Sequence, residues 1–258
     1  MAPTTSSPST TFAGPVLVTG GTSGIGLAVA EAIARGGRPV LVAGRSPERC
    51  RSAEIRLMAT GAEHLAVVAD TTGAGALADA VAQAADRWGP VTGLVTAAGR
   101  LARGSVLDLS PDDFRAALDT NVIGTWMAIR AVLPGMLDAG FGRIVTIGSV
   151  LGSTGAPERS GYAATKGAVA ALTRSAALEL AGSGVTVNCV APGPVRTPMN
   201  EHDAEGDETA RAAFTAKVPL GRWGRPEDVA HAVLPLLAAE SSFTTGSVVH
   251  VDGGYTAQ

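Results

Sequence analysis

Short runs rich in Val, Ile and Leu alternate with longer Ala-rich stretches of helical spacing along most of the chain, and this alternation restricts the fold more than any other feature. Repeated strand–helix–strand units build a parallel sheet. The runs predict seven strands, at Pro15–Thr19, Pro39–Ala43, Leu65–Ala69, Gly93–Thr96, Arg143–Ile147, Val185–Val190 and Ser247–Val251. Helices are expected over Gly24–Arg35, Pro47–Ala59, Gly75–Trp88, Ser110–Leu137, Tyr162–Ala181 and Pro226–Ala239. The strands are apolar on both faces, as they must be when helices cover both sides of a sheet. The expected fold class is therefore α/β, a Rossmann-like doubly wound fold around a seven-stranded parallel sheet. Such sheets bind ligands beyond the carboxyl ends of their strands, so residues that directly follow a strand are site candidates by position.

No Pro/Ser-rich linker or break in composition divides the 258 residues. Residues 1–14 are Thr, Ser, Ala and Pro without a basic start or an apolar run, which predicts a disordered tail and no secretory signal. Residues 15–258 are expected to form one domain. With 46% hydrophobic and 17% charged residues it can bury a large core without metals or disulfides. Two cysteines, Cys50 and Cys189, fall in a helical and a buried-strand segment, which fits a reduced, cytoplasmic compartment. A formal charge of -3 with interspersed signs predicts no nucleic-acid partner, and no apolar run approaches the length of a membrane span. The four histidines are scattered without ligand spacing, so no metal is expected.

Directly after the first strand stands Thr19-Gly20-Gly21-Thr22-Ser23-Gly24-Ile25-Gly26, followed by an apolar helix. Glycines permit a tight turn and let a diphosphate approach backbone N–H groups at the positive end of the helix. A plain turn is the alternative. The second strand ends in Gly44-Arg45-Ser46, with no acidic residue to accept ribose hydroxyls. Arg45 suits the 2′-phosphate of NADP, unless it is merely a solvated loop residue.

The G-x-x-x-G-x-G spacing resembles that of the short-chain dehydrogenase/reductase family, and the resemblance extends from Gly14 to Tyr255. It is nearest to 3-oxoacyl-[acyl-carrier-protein] reductases and polyketide ketoreductases. The resemblance implies NADP(H) contacts from Gly20, Thr22, Ser23, Gly24, Ile25 and Gly26, with Arg45 at the 2′-phosphate. Asp70 and Thr71 match the pair at the adenine ring; a helix N-cap is the alternative for this pair, and the two roles are compatible. At Thr96-Ala97-Ala98-Gly99 the family commonly has Asn-Asn-Ala-Gly. This departure removes side chains that brace the central strand, while Ala97, Ala98 and Gly99 still let the cofactor approach. Pro192, Gly193, Val195 and Thr197 match the segment packed on the nicotinamide, with Thr197 near the diphosphate.

Tyr162 and Lys166 stand four residues apart on one helix face, and Ser149 lies thirteen residues before the tyrosine, just past a strand. With Asn121 in the preceding long helix, the resemblance implies a catalytic tetrad of Asn121, Ser149, Tyr162 and Lys166. Tyr162 and Lys166 also contact the cofactor. Reducing a carbonyl needs a hydride on carbon and a proton on oxygen. Tyr162 would be the acid/base, Ser149 would hold the substrate oxygen, and Asn121 would anchor a water that links Lys166 to solvent. A tyrosine working near neutrality needs a downward pKa shift of roughly 3 units, about 4 kcal/mol. A lysine cation about 5 Å away supplies roughly 3 kcal/mol at an effective dielectric near 20, and the oxidised nicotinamide can supply the rest.

Residues 198–218 turn polar and acidic, which predicts a substrate lid. The expected partner is a small-molecule carbonyl or alcohol. The resemblance admits a carrier-bound 3-oxoacyl or polyketide-type substrate, but the basic carrier-docking patch is missing at Asp138–Phe141 and Ala181–Ser183. The family usually forms homotetramers, and small residues such as Ala163, Ala164, Ala168, Ala170 and Ala171 would permit close helix packing. Two alternatives compete with an NADP(H) ketoreductase: a catalytically silent dinucleotide-sensing regulator, and an NAD-dependent alcohol or sugar dehydrogenase. A sensor would usually have lost the tyrosine or lysine, and both are present.

Overall fold

The computed structural model describes residues 14–200, 212 and 215–258. The predicted N-terminal tail, up to residue 13, and most of the predicted lid lie outside them. Seven parallel strands form one sheet in the order β3-β2-β1-β4-β5-β6-β7. They are β1 Val16–Thr19, β2 Val40–Gly44, β3 His64–Val68, β4 Gly93–Thr96, β5 Gly142–Ile147, β6 Val185–Pro192 and β7 Val248–Val251. The longer helices are α1 Gly24–Arg35, α2 Pro47–Met58, α3 Ala74–Trp88, α4 Pro111–Leu118, α5 Gly124–Asp138, α6 Ser160–Glu179 and α7 Pro226–Leu236.

The apolar strand runs divide between two cores, as the two-residue strand period requires. Val16, Val18, Val40, Val42, Val95 and Val145 face one layer, where they meet Val29 and Ile33 of α1 and Val229 and Val233 of α7. Leu17, Leu41, Leu94 and Ile144 face the other, packed on Leu77 of α3, Val132 and Met136 of α5 and Ala176 of α6. The edge strands β3 and β7 are less covered than the five central ones.

Local chemistry sets the helix starts. Ser46 accepts from the Arg49 N–H at 3.2 Å and Pro47 opens α2; Ser110 and Pro111 do the same for α4, with Asp113 N–H at 3.0 Å. The expected helix over Ser110–Leu137 is not continuous. A π-helical turn at Asp119–Ile123 separates α4 from α5. The Asn121 side chain is drawn off into a network with Arg100 and Thr165, and the extra residue of the π turn accommodates it.

At the opposite end of the sheet from those helix starts, two arginines act as carbonyl clamps. Arg143, 3% exposed, donates to the carbonyls of Gly142, Gly184, Ala238 and Ala239 at 2.8, 3.1, 3.1 and 2.8 Å. Arg38 does likewise for Gly14 and Leu237. Burial pulls both guanidinium pKa values down. Replacing Arg143 by Met strips four carbonyls of a donor and is expected to cost about 3 kcal/mol of stability. A urea titration would show it as a lower midpoint at unchanged slope; an unchanged midpoint would contradict the clamp.

Candidate active site

The order β2-β1-β4-β5 places the switch in strand order between β1 and β4, which opens a crevice beyond their carboxyl ends. A cleft of about 760 Å³ occupies it. On one side the loop after β1 holds its shape through two glycines. Gly20 has φ +66°, and a Cβ there would lie 2.5 Å from the Ala98 N; a Cβ on Gly26 would lie 2.3 Å from the Gly20 carbonyl oxygen. The loop therefore presses on the segment after β4, where Ala97 N–H also donates to Thr19 O at 3.0 Å. Ser23 caps α1 without a side-chain hydrogen bond, and no acid stands in the first turn. The first N–H groups of α1 thus face the cleft without a side-chain acceptor, the donor set a dinucleotide diphosphate requires.

Of the residues predicted to hold a cofactor, Gly20, Thr22–Gly26, Arg45, Thr71, Ala97–Gly99, Tyr162, Lys166, Pro192, Gly193, Val195 and Thr197 line this cleft. Asp70 does not. Its carboxylate accepts from the Thr72 N–H at 2.9 Å and hydroxyl at 2.8 Å, which holds its pKa low, and Gly73 rather than Asp70 caps α3. The segment after β6 is braced by Asn200, whose carboxamide accepts from Thr197 N–H and hydroxyl at 2.9 Å and donates to Val195 O at 2.8 Å. Thr197 also abuts the start of α1, 3.4 Å from where a Gly24 Cβ would be.

Ser149 follows β5 and caps the short 3₁₀ turn Val150–Gly152, accepting from Leu151 N–H at 3.2 Å. Tyr162 and Lys166 rise from the first turns of α6 beside it. The buried Lys166 ammonium donates to Ile147 O at 2.7 Å and lies 5.7 Å from the centre of the Tyr162 ring. Asn121 lines no part of the cleft. Its carboxamide oxygen accepts from Arg100 N–H at 2.7 Å, and its NH₂ donates to Arg100 O at 2.9 Å and to Thr165 at 2.8 Å. This network ties the segment after β4 to α6.

The electrostatics differ from the sequence-based expectation. Burial pushes the Tyr162 phenol up to about 12, against a smaller opposing pull from the Ser149 hydroxyl. Burial likewise draws Lys166 down to about 8, partly offset by the neighbouring Cys189. The lysine charge that was expected to lower the tyrosine is itself weakened by desolvation, so in the protein alone burial wins. Sequence reasoning also missed Arg49, Arg159, Asn200, Lys217, Trp223 and Tyr255, all of which line the cleft. Arg49 alone carried a readable signal, standing four residues after Arg45.

A glycine-bounded diphosphate cradle facing a Ser–Tyr–Lys cluster defines an oxidoreductase that works with a bound nicotinamide dinucleotide. Comparison with known proteins agrees. Residues 20–256 match the family described as enoyl-(acyl carrier protein) reductase. The chain is 39% identical over 245 residues to 2-(S)-hydroxypropyl-CoM dehydrogenase 3 of Xanthobacter autotrophicus, covering 94% of this chain and 96% of that protein. It is 34% identical to 3-oxoacyl-[acyl-carrier-protein] reductase FabG of Thermotoga maritima, covering 92% and 96%. A crystal structure of a variant actinorhodin polyketide ketoreductase with NADPH superposes with a TM-score of 0.90 at 35% identity, covering 95% of this chain and 98% of that one. The chain belongs to the short-chain dehydrogenase/reductase family, oxidoreductases acting between CH–OH and carbonyl groups.

A protonated Tyr162 at neutral pH is the form that delivers a proton to a carbonyl. Reduction is therefore expected to hold up to about pH 8 and to decline as Lys166 loses its proton, whereas alcohol oxidation should climb over the same range. Parallel pH profiles of kcat/KM in the two directions check this; profiles of the same sign would refute it.

Proposed function

We propose that the chain is an NADPH-dependent ketoreductase of small to medium ketones or 3-oxoacyl-type substrates. The observation that carries the reading is the convergence of Ser149, Tyr162 and Lys166 on the cleft that α1 opens with its free N–H groups. When bound, the nicotinamide dinucleotide supplies or accepts the hydride. Tyr162 donates the proton to the substrate oxygen, and Ser149 holds that oxygen by hydrogen bond. Lys166 returns a proton to the site and balances charge there. Since every polar atom of the Asn121 side chain is engaged, we assign it positioning of α6 and of the Arg100 segment in place of the water anchor expected from the sequence. The Asn121 carbonyl accepts from Thr125 Oγ1 at 2.8 Å.

The preference for NADPH is supported by Arg45 and Arg49 at the far end of the cleft, by the lack of an Asp or Glu among the described residues that line it, and by the NADPH in the related ketoreductase. Assembly as a homotetramer is supported by exposed Ala164, Ala171 and Leu178, spaced by seven along α6, and by exposed Ile123 and Trp126 at the start of α5. Two free, buried cysteines support a cytoplasmic setting.

NADPH oxidation with a panel of ketones tests the reading. Tyr162→Phe should keep cofactor affinity and lose at least about 10²-fold in kcat, the usual worth of a general acid; wild-type turnover would overturn the assignment. Arg45→Ala with Arg49→Ala should raise KM for NADPH about tenfold or more with little change for NADH, since each removes a phosphate partner. Equal losses with both cofactors would remove the 2′-phosphate role.

A further inference from the structure

The carboxyl end of β5, which leads into Ser149, lies between the ends of β4 and β6 in the sheet. A side chain that runs from the segment after β6 to the segment after β4 therefore passes over the reacting centre. Met199 does so. It stands past β6 and reaches Gly99, past β4, where a Cβ built on the glycine would lie 3.6 Å from Met199 Cε. That same point is 3.6 Å from Asn121 Oδ1 and 4.0 Å from Lys166 Nζ, so the thioether methyl and the ammonium flank one face of Gly99.

The backbone that carries Met199 is fixed. Asn200 ties it to Val195 and Thr197 through its carboxamide, and the Asn200 N–H donates to Thr197 O at 3.0 Å. Upstream, Val195 bridges to Gly224: Arg196 N–H donates to Gly224 O at 3.0 Å, and Gly224 N–H to Pro194 O at 2.8 Å. The stem is held, and the side chain is what can adjust.

This is not the setting of a core methionine. Met199 lines the cleft and is 44% exposed, whereas Met136 is fully buried. An unbranched thioether with three rotatable bonds adapts its shape to what it covers. Apolar surface left open over a reacting centre gains when an apolar group of a ligand removes it from water. Leu101, Leu151, Pro157 and Trp223 also line the cleft and add apolar walls.

We propose that Met199 is a specificity-determining residue, an adjustable apolar roof that admits ketones with a compact arm beside the carbonyl, a methyl or methylene, and rejects those with a branched one. This rests on the ketoreductase reading. One flexible side chain on a held stem limits bulk at the carbonyl, while the longer arm of the substrate extends along the cleft.

A matched pair of ketones tests it. In 4-phenylbutan-2-one and 4,4-dimethyl-1-phenylpentan-3-one the long arm is the same, and the short arm is methyl or tert-butyl. Comparing the ratio of their kcat/KM values with NADPH across variants cancels their different intrinsic reactivity. The ratio should fall about tenfold or more in Met199→Ala, the discrimination that a few carbons command in an apolar pocket. It should persist in Met199→Leu, which keeps the volume, and in Met58→Ala, which removes an exposed methionine of α2 outside the cleft. Peroxide footprinting reads the same contact without turnover. Hydrogen peroxide transfers one oxygen atom to the thioether sulfur and leaves as water, and mass spectrometry counts the sulfoxide. In the NADP⁺-loaded protein, saturating 4-phenylbutan-2-one should slow oxidation of Met199 severalfold and leave that of Met58 unchanged. Protection of Met199 without turnover of either ketone would overturn the ketoreductase reading alone. Turnover with a ratio that Met199→Ala leaves unchanged, or without protection of Met199, would overturn the roof alone; neither turnover nor protection would overturn both.

Discussion

A single hydrogen bond, from the buried Lys166 ammonium to the last carbonyl of β5, joins the helix that carries Tyr162 to the strand that leads to Ser149. Without it, α6 would have an uncompensated charge facing its core, and Tyr162 and Ser149 would lose their fixed relation. The bond has a cost, since burial draws the lysine pKa down. An exposed lysine would keep its charge but could not hold the tyrosine against the strand end. Cys189 and Thr146 lie at this same junction, where β5 and β6 run in register. The junction is thus built from paired central strands rather than from a loop, which suits a site that must hold proton donor and substrate oxygen within fractions of an ångström.

The opposite wall depends on the absence of side chains. Gly20 and Gly26 bring the loop after β1 onto itself and onto Ala97 and Ala98, so the shape of this loop is set by close backbone approach. The two walls come from neighbouring strands, β1 and β4 on one side and β5 on the other. Asn121 then links them: its carboxamide spans from the Arg100 backbone, just beyond β4, to Thr165 on α6. This explains why a π turn interrupts a segment whose helical spacing is otherwise unbroken.

Much of this was legible in the sequence, and the parts that were not share a cause. Strands such as Val16–Thr19 and Val40–Gly44 are buried throughout and almost wholly apolar because both faces are covered, and each is bounded by glycine or proline, so their positions could be read within a residue or two. The glycine loop and the Ser149, Tyr162 and Lys166 cluster were legible through fixed spacing. The break at Asp119–Ile123 was not, because adding one residue to a helical turn leaves the local composition unchanged. Arg159, Asn200 and Lys217 were missed because they do not follow strand ends; tertiary contacts of the Glu158 turn and of the C-terminal residues bring them to the cleft. The direction of the Tyr162 shift was also beyond reach, since it is set by how deeply two groups are buried and not by their separation along a helix.

That direction bears on what the protein is poised to do. A family member oxidising an alcohol must first deprotonate its tyrosine, and here burial makes the ionised phenol costly in the protein alone. The positive charge of an oxidised nicotinamide would have to offset that cost. In the roles proposed above, the reduced cofactor needs no such offset, because Tyr162 already carries its proton and Lys166, at about 8, can replace it near neutrality. The same desolvation that hinders the tyrosine as a base equips it as an acid. It also lowers the local dielectric in which Ser149 meets the developing charge on the substrate oxygen, where a single hydrogen bond is worth more than in water. In the protein alone, the buried phenol and the Lys166 proton suit reduction better than oxidation.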